Sequence, residues 1–520
     1  MAAGMVGTAG MAALAAARFL PHQTLWIDEV TQMAGLGLGP IGVVRWLLHP
    51  TLTDLGVPSD RMPPLSYWLG WLWAQAFGLH ESSLRWFGVA CVVAAVALTF
   101  SAARRAFGPL AAWGAGLCLA LSPNVCTTAV EIRAYPLFLL ISAGALRSAV
   151  GIACAETSQR TIAWLGLGAW LLLGLFTHFF GVVLAAAMLV GLAAHRLYLR
   201  RPLAPLAILG AALALAAVGL VPFAKASAEI SAVSERNRVY EVVQLLYRLV
   251  AHPAMATHRV VALVALAAAA ALAIAVAASA RAWPAEQQGV LVALAVALAA
   301  GLGASLLANF VVAGFSAAKV NYSIWTLPPL AVFLMAPLAA ATPGWQRIAF
   351  AAAVLLLGSE TAATATLSSA GEYFAHGPHR RVERLLDGLG SGTAVVHADP
   401  IGDYPFVYFP LRYAHGPGLA QFVEAHGGPA PPLGRALDPD RSGWLDELAG
   451  FSHLLVVQSK REGADEIADQ LRNGAHPLGR SALLEGLAAS GAWGVQDHRI
   501  LVAFVAAEVT VLERRAPAPR

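Results

Sequence analysis

Two adjacent carboxylates, Asp28 and Glu29, stand in the segment Leu25-Trp26-Ile27-Asp28-Glu29-Val30, whose apolar flanks hold them close to a membrane surface. A carboxylate in reach of a hydroxyl can take its proton or serve as a metal ligand; the plainer alternative is a helix N-cap or a solvated loop. Glu131-Ile132-Arg133-Ala134-Tyr135 places an anion and a cation two residues apart at the entry to a later apolar stretch, where a local ion pair at a helix start is the plain alternative. His178, in Phe176-Thr177-His178-Phe179-Phe180, reads either as a hydrogen-bonded packing residue or as a ligand. Arg61, Arg85, Lys225, Arg236, Arg238, Arg248, Arg259 and Lys319 supply cations. Guanidinium forks suit phosphate oxygens, while anchoring to lipid headgroups is the commoner role. No one of these signals is specific, but together at one membrane face they suggest chemistry on an anionic, lipid-linked substrate.

The elements that must position them follow from composition. The chain has 520 residues, 12% charged, 58% apolar, with a mean hydropathy of +0.65, against roughly 25% charged in a soluble domain. That excludes a soluble enzyme. Of its 34 basic and 30 acidic residues, 32 lie in 1–366 and as many in 367–520, so a lipid-embedded domain precedes a smaller one of ordinary composition. The net charge of +4, carried by dispersed arginines, argues against nucleic acid as a partner. The four cysteines sit in or beside apolar runs without metal-ligand spacing and read as inert.

A crossing helix needs about 20 apolar residues, and eleven segments qualify approximately: 2–20, 84–103, 108–123, 134–153, 161–177, 179–197, 203–223, 259–280, 287–312, 321–341 and 346–365. The first reads as a retained span rather than a signal peptide, because Arg18 follows its apolar run. With a cytoplasmic N-terminus, the inner loops hold nine arginines (104, 105, 147, 160, 196, 200, 201, 281 and 347) against Glu156 and Glu286, the expected positive-inside bias. Segment 63–78, short for a span, is expected to be a helix on the outer surface with Trp68, Trp71 and Trp73 at headgroup level. Outer loops 21–83 and 224–258 then share one side with the tail from 367 onward. The tail alternates β-like runs (394–397, 453–457 and 500–505) with a helical segment at 463–472 and a turn at Asp438-Pro439-Asp440, which fits a small α/β domain.

The order of these motifs resembles the GT-C glycosyltransferases that use polyprenyl-phosphate sugars, the group of protein O-mannosyltransferases and aminoarabinose transferases. The similarity covers most of 26–337. It rests on Leu25-Trp26-Ile27-Asp28-Glu29, on Met62-Pro63-Pro64-Leu65-Ser66-Tyr67, on Ser83-Leu84-Arg85, and on Ser122-Pro123 followed by Glu131-Ile132-Arg133-Ala134-Tyr135. Thr177-His178-Phe179 and Tyr322 to Pro329 complete it. Two positions depart from the usual pattern: Met62, with Arg61 before it, precedes the double proline, and Asn321-Tyr322, with Lys319 nearby, opens the late span.

The resemblance implies a multi-pass helical GT-C domain with a small extracytoplasmic α/β domain, in a bacterial cytoplasmic membrane. It implies transfer of one sugar from a polyprenyl phosphate, with inversion, to a hydroxyl of an envelope glycan, lipid or protein. Asp28 would be the base, with Glu29 and Glu131 as catalytic companions. Arg61, Arg133, Lys319, Tyr322, Arg248 and Arg259 would face the donor phosphate, whose growing charge needs cations or a metal. Tyr135, Tyr67 and Arg85 fall on the acceptor side. Glu131 and His178 would orient the acceptor or, with Glu29, hold a divalent ion. The rivals are a transporter or flippase of lipid-linked sugar, and an inactive GT-C-fold assembly protein.

Overall fold

In lipid the backbone finds no water, so each apolar run must close its own hydrogen bonds as a helix. All eleven apolar segments are helical in the computed structural model, which describes residues 2–21, 23–49, 62–154, 160–230, 238–251, 259–311, 320–339, 342–369, 379–398, 407–415, 418–425, 435–463, 482–501 and 505–515. Helix α1 (Ala2–Ala17) leads into three short helices, α2 (Ile27–Leu36), α3 (Gly39–Leu48) and α4 (Leu65–Phe77). The long helix α5 (Glu81–Phe107) follows, then α6 (Pro109–Leu121), α7 (Pro123–Ala129), α8 (Tyr135–Cys154), α9 (Arg160–Thr177) and α10 (Gly181–Tyr198). The remainder of the bundle is α11 (Ala204–Val218), α12 (Val221–Ile230), α13 (Arg238–Val250), α14 (Arg259–Ser279), α15 (Ala285–Val311), a 3₁₀ turn at Asn321–Thr326 leading into α16 (Leu327–Met335), and α17 (Pro343–Ser369).

Seven helices among the described residues are long and apolar enough to cross a bilayer, and up to nine if the bent pairs α6–α7 and α11–α12 each count as one span. Eleven crossings were expected from the sequence. The two that fall short, Ala3–Ala17 and Thr161–Thr177, are apolar but below the length test, under the roughly 20 residues of an untilted crossing. The bend of 59° between α6 and α7 has a local cause: proline at 123 pushes Ser122 out of the helical region, to φ −64° and ψ 124°.

Helix α5 packs on α8, α10 on α15 and α14 on α17, around an alanine-rich core. The segment expected at the outer surface is helical as α4, and two of its three tryptophans bond to protein. Trp68 Nε1 donates to the Pro40 carbonyl at 3.0 Å, and Trp73 Nε1 donates to the Ser83 carbonyl at 2.9 Å. The indole N–H groups of Trp68 and Trp73 are therefore engaged by protein carbonyls. The physical reason is that α2, α3 and α5 all pack against α4.

Helix α17 runs to Ser369, just past the boundary expected at 366. Beyond it come α18 (His379–Leu389), β1 (Thr393–His397), α19 (Phe409–His415), β2 (Gln421–Glu424), β3 (Arg435–Leu437), β4 (His453–Gly463), α20 (Ala482–Ala489), β5 (Trp493–Leu501) and β6 (Val505–Arg514). They form one six-stranded sheet in the order β3-β2-β1-β4-β6-β5, parallel from β3 to β4 and antiparallel at β6 and β5. Strand β1 feeds two cores, Val395 packing among Val382, Leu386 and Leu455 on one face, and Ala394 and Val396 among Phe422, Leu483 and Leu512 on the other. The run expected as one strand at 500–505 is divided between β5 and β6, which pair antiparallel. The expected helix at 463–472 lies outside the described residues but for Gly463, which ends β4.

Candidate active site

The α2 helix starts one step before the carboxylate pair, so Asp28 and Glu29 occupy its first turn, where acidic side chains favour the helix dipole. Neighbours on a helix point about 100° apart, and here that separates their environments. Glu29 is fully buried. Its Oε1 accepts Arg85 Nη1 at 3.0 Å and the Ile132 amide at 2.9 Å, and its Oε2 accepts Arg85 Nη2 at 3.3 Å and the Trp26 amide at 3.4 Å. Asp28 leaves 43% of its side chain exposed, with Arg133 Nη2 at 3.6 Å from its Oδ2. Arg133 Nη1 also donates to the Asp28 carbonyl at 3.0 Å, which fixes the guanidinium against the start of α2.

Three close approaches assemble this site. A Cβ at Gly88 would stand 2.4 Å from the Ala129 carbonyl oxygen, so only glycine lets α5 lie this near the end of α7. One turn earlier on α5, Arg85 donates to the Val130 carbonyl and so holds the strand of backbone carrying Glu131 and Arg133. At Gly181 a Cβ would stand 2.1 Å from the Gly174 carbonyl oxygen, which makes glycine a requirement of the turn between α9 and α10. That turn delivers His178.

The His178 ring lies among aromatic neighbours: Phe138 stacked at 5.2 Å between centroids, Tyr322 at 5.3 Å, and Tyr135 and Phe180 each at 5.7 Å. Its Nδ1 accepts the Phe180 amide at 3.0 Å, and burial first, then Arg133, lowers its pKa to about 3. It is a neutral imidazole. Arg133 completes the arrangement, its guanidinium carbon 5.8 Å from the Tyr135 ring centre. Glu131 has its Oε2 enclosed without a hydrogen-bond partner. Burial above all, with Glu29 and Asp28 adding and Arg133 and Arg85 opposing, raises its pKa to about 8.

Asp28, Glu131, Arg133, Tyr135, His178 and Tyr322 thus come from distant parts of the chain into one neighbourhood. Glu29 and Arg85 stand apart from this group: Glu29 spends its oxygens on Arg85 and two backbone amides, and Arg85 its nitrogens on Glu29, Glu81 and the Val130 carbonyl, which suits holding elements together rather than exchanging protons or meeting an acceptor. Tyr67 is likewise fully buried, edge-on to Trp46 at 6.2 Å, and is a packing residue. Arg248 sits on α13, whose link to α7 is an Asn124 Nδ2 hydrogen bond to the Arg248 carbonyl at 2.7 Å, and Arg259 is exposed at the start of α14. Lys225 is exposed on α12, and Arg61, Arg236 and Lys319 lie outside the described residues. For a divalent ion the donors do not fit: among the described residues no three His, Cys, Asp or Glu converge, and His178 faces rings rather than carboxylates.

The sequence profile of the dolichyl-phosphate-mannose-protein mannosyltransferases matches residues 61–221. No curated protein matches the chain by sequence. ArnT from Cupriavidus metallidurans in its apo state superposes with a TM-score of 0.57 at 12% identity, over 97% of both chains. The same protein bound to undecaprenyl phosphate gives 0.54 at 12% identity, again over 97% of both. The chain has the GT-C glycosyltransferase fold. It is accordingly a multi-pass membrane protein with a small C-terminal sheet domain. The profile match takes in Glu81, Arg85, Glu131, Arg133, Tyr135 and His178, while Asp28 and Tyr322 reach the site from outside it.

Four participants were not singled out from sequence. Phe138 and Phe180 look like ordinary span residues until the His178 ring is placed between them. Glu81 had a readable signal in its four-residue spacing to Arg85, to which it pairs at 2.7 Å. Arg380 had none: it reaches Glu81 from the C-terminal domain, 299 positions away.

Proposed function

We propose that this chain is an inverting glycosyltransferase that moves one sugar from a polyprenyl-phosphate donor to an acceptor hydroxyl at the extracytoplasmic face of a bacterial inner membrane. The observation that carries the reading is Asp28, a half-exposed carboxylate fixed at the first turn of α2 and faced by Arg133, in a chain with the ArnT fold. The ArnT relative binds undecaprenyl phosphate, which supports a donor of that class here.

Asp28 receives the proton of the acceptor hydroxyl as its oxygen attacks the anomeric carbon, and the bond to the donor phosphate breaks on the opposite side of that carbon. Arg133, with Nη1 on the Asp28 carbonyl and Nη2 facing its carboxylate, holds the base in place and adds positive charge to the site in which the leaving phosphate gains negative charge. Glu131, with its pKa near 8, stays protonated at neutral pH, so the two carboxyl groups divide between a base and a neutral hydrogen-bond donor. Tyr135, Tyr322 and neutral His178 form the aromatic wall.

The test is transfer of radiolabelled sugar from a panel of polyprenyl-phosphate donors in membranes holding the wild type or Asp28→Asn. Donor-dependent product that falls by about a hundred- to ten-thousand-fold in the variant is expected of a lost general base. Equal product from both would remove Asp28 from the reaction.

A further inference from the structure

A chain of charges links the C-terminal domain to the catalytic loop. Arg380, at the start of α18, donates through Nη2 to Glu81 Oε1 at 3.2 Å and to the Gln23 carbonyl at 2.9 Å. Glu81 Oε1 also accepts Arg85 Nε at 2.9 Å, and Arg85 Nη2 lies 2.7 Å from the same oxygen. Arg85 grips Glu29, and Glu29 holds the Ile132 amide at 2.9 Å, between Glu131 and Arg133. Two carboxylates and two guanidiniums balance in this group. Arg85 alone cannot neutralise Glu29 and Glu81 in a site where one of the carboxylates is fully buried, and an uncompensated buried charge is strongly unfavourable. The fourth charge comes from the other domain.

We infer that Arg380 is a positioning residue for the transfer reaction, setting the placement of Glu131 and Arg133 through Glu81, Arg85 and Glu29. This rests on the proposed function for its kinetic consequence, though not for its structural one. Removing Arg380 takes one cation from Glu81, which draws the shared Arg85 guanidinium toward Glu81 and away from Glu29 and the Val130 carbonyl. The loop carrying Glu131 and Arg133 then loses its placement against Asp28. The domain itself should stay docked, because Tyr408, Phe409 and Val423 pack in one apolar cluster with Leu25, Met33, Leu84 and Ile132.

The experiment compares full-length wild type with Arg380→Gln and Arg380→Lys in detergent and in proteoliposomes. Hydrogen exchange of peptides covering 128–134 is measured first, since it needs no substrate. Faster exchange there in Arg380→Gln, with α9 and α15 unchanged and with wild-type protection restored in Arg380→Lys, is expected. Unchanged exchange at 128–134 would overturn the link whatever the activity. Turnover then reads the function: a roughly tenfold lower kcat with donor KM held within about twofold, recovered largely by Arg380→Lys, marks loss of alignment in the reacting complex. Looser exchange with wild-type kcat would overturn the positioning role. Wild type inactive with every donor would count against the proposed function, while the exchange result would still decide whether Arg380 sets the loop.

Discussion

Asp28 and Glu29 are neighbours in sequence with the same functional group, yet the fold gives them opposite surroundings. Glu29 is enclosed and meets four donors, from Trp26, Arg85 and Ile132. Asp28 keeps nearly half its side chain open and faces one cation at 3.6 Å. A carboxylate whose lone pairs are filled by fixed donors stabilises geometry and is a poor proton acceptor; one with open lone pairs can meet a substrate. On the proposed function, the two-residue motif combines a structural anchor with the reacting base, and rotation about the helix separates the two.

The sharpest way to break this contrast is Arg85→Ala. It strands Glu29 and Glu81 without their shared cation, and loss of one partner from a buried pair costs about 3–5 kcal/mol. Thermal unfolding of the purified protein should show a large loss of Tm, whereas Asp28→Asn, at a half-open position, should stay within about 0.5 kcal/mol of wild type while losing activity. Comparable destabilisation by both would erase the division of tasks. A smaller effect is expected at the turn that delivers His178. Gly181→Ala drives a Cβ into the Gly174 carbonyl, and relieving such overpacking costs about 1–3 kcal/mol; unaltered stability would mean the turn is not confined to glycine.

Glu131 sharpens the comparison at the smallest scale. Its folded pKa near 8 lies above the ordinary 4.5, so the folded chain keeps a proton that the unfolded chain releases. Its contribution to stability is full below about pH 4.5, declines as pH rises and is gone beyond about pH 8. Glu131→Gln, which cannot ionise, should flatten the fall in Tm between those limits. If protonated Glu131 is needed for transfer, activity should also decline above about pH 8 in the wild type, and that limb should vanish in the variant. A wild-type Tm that rises across the same window would contradict a neutral Glu131.

Much of the fold was legible because its determinants are local. Length and hydropathy mark the apolar helices one by one, and alternation with turn residues marks β1 and β4. The span count was less secure: α1 and α9 are apolar without reaching full crossing length, and composition does not register that difference well. Of the site, Asp28, Arg133, Tyr135, His178 and Tyr322 stand out in the sequence as polar or aromatic groups at the ends of apolar runs. Their grouping does not, because it depends on α5 approaching α7 at Gly88 and on α9 turning tightly at Gly181. Trp68 and Trp73 of α4 show the same limit, since an amphipathic ring suits a headgroup and a protein carbonyl equally, and only packing brought Pro40 and Ser83 within reach.

The sequence by itself determined that this chain lives in a membrane, that a small α/β domain follows, and that polar and aromatic side chains gather at span ends. These are matters of composition and period, and each is written within a few tens of residues. Only the tertiary structure decided that Glu29 is an anchor while Asp28 is open, that Arg85 belongs to the anchor, and that a cation 299 positions from Glu81 completes the charge balance. Desolvation and pairing depend on what surrounds a charge in space, and the partners that set them here come from α2, α5, the loop before α8, and the far domain.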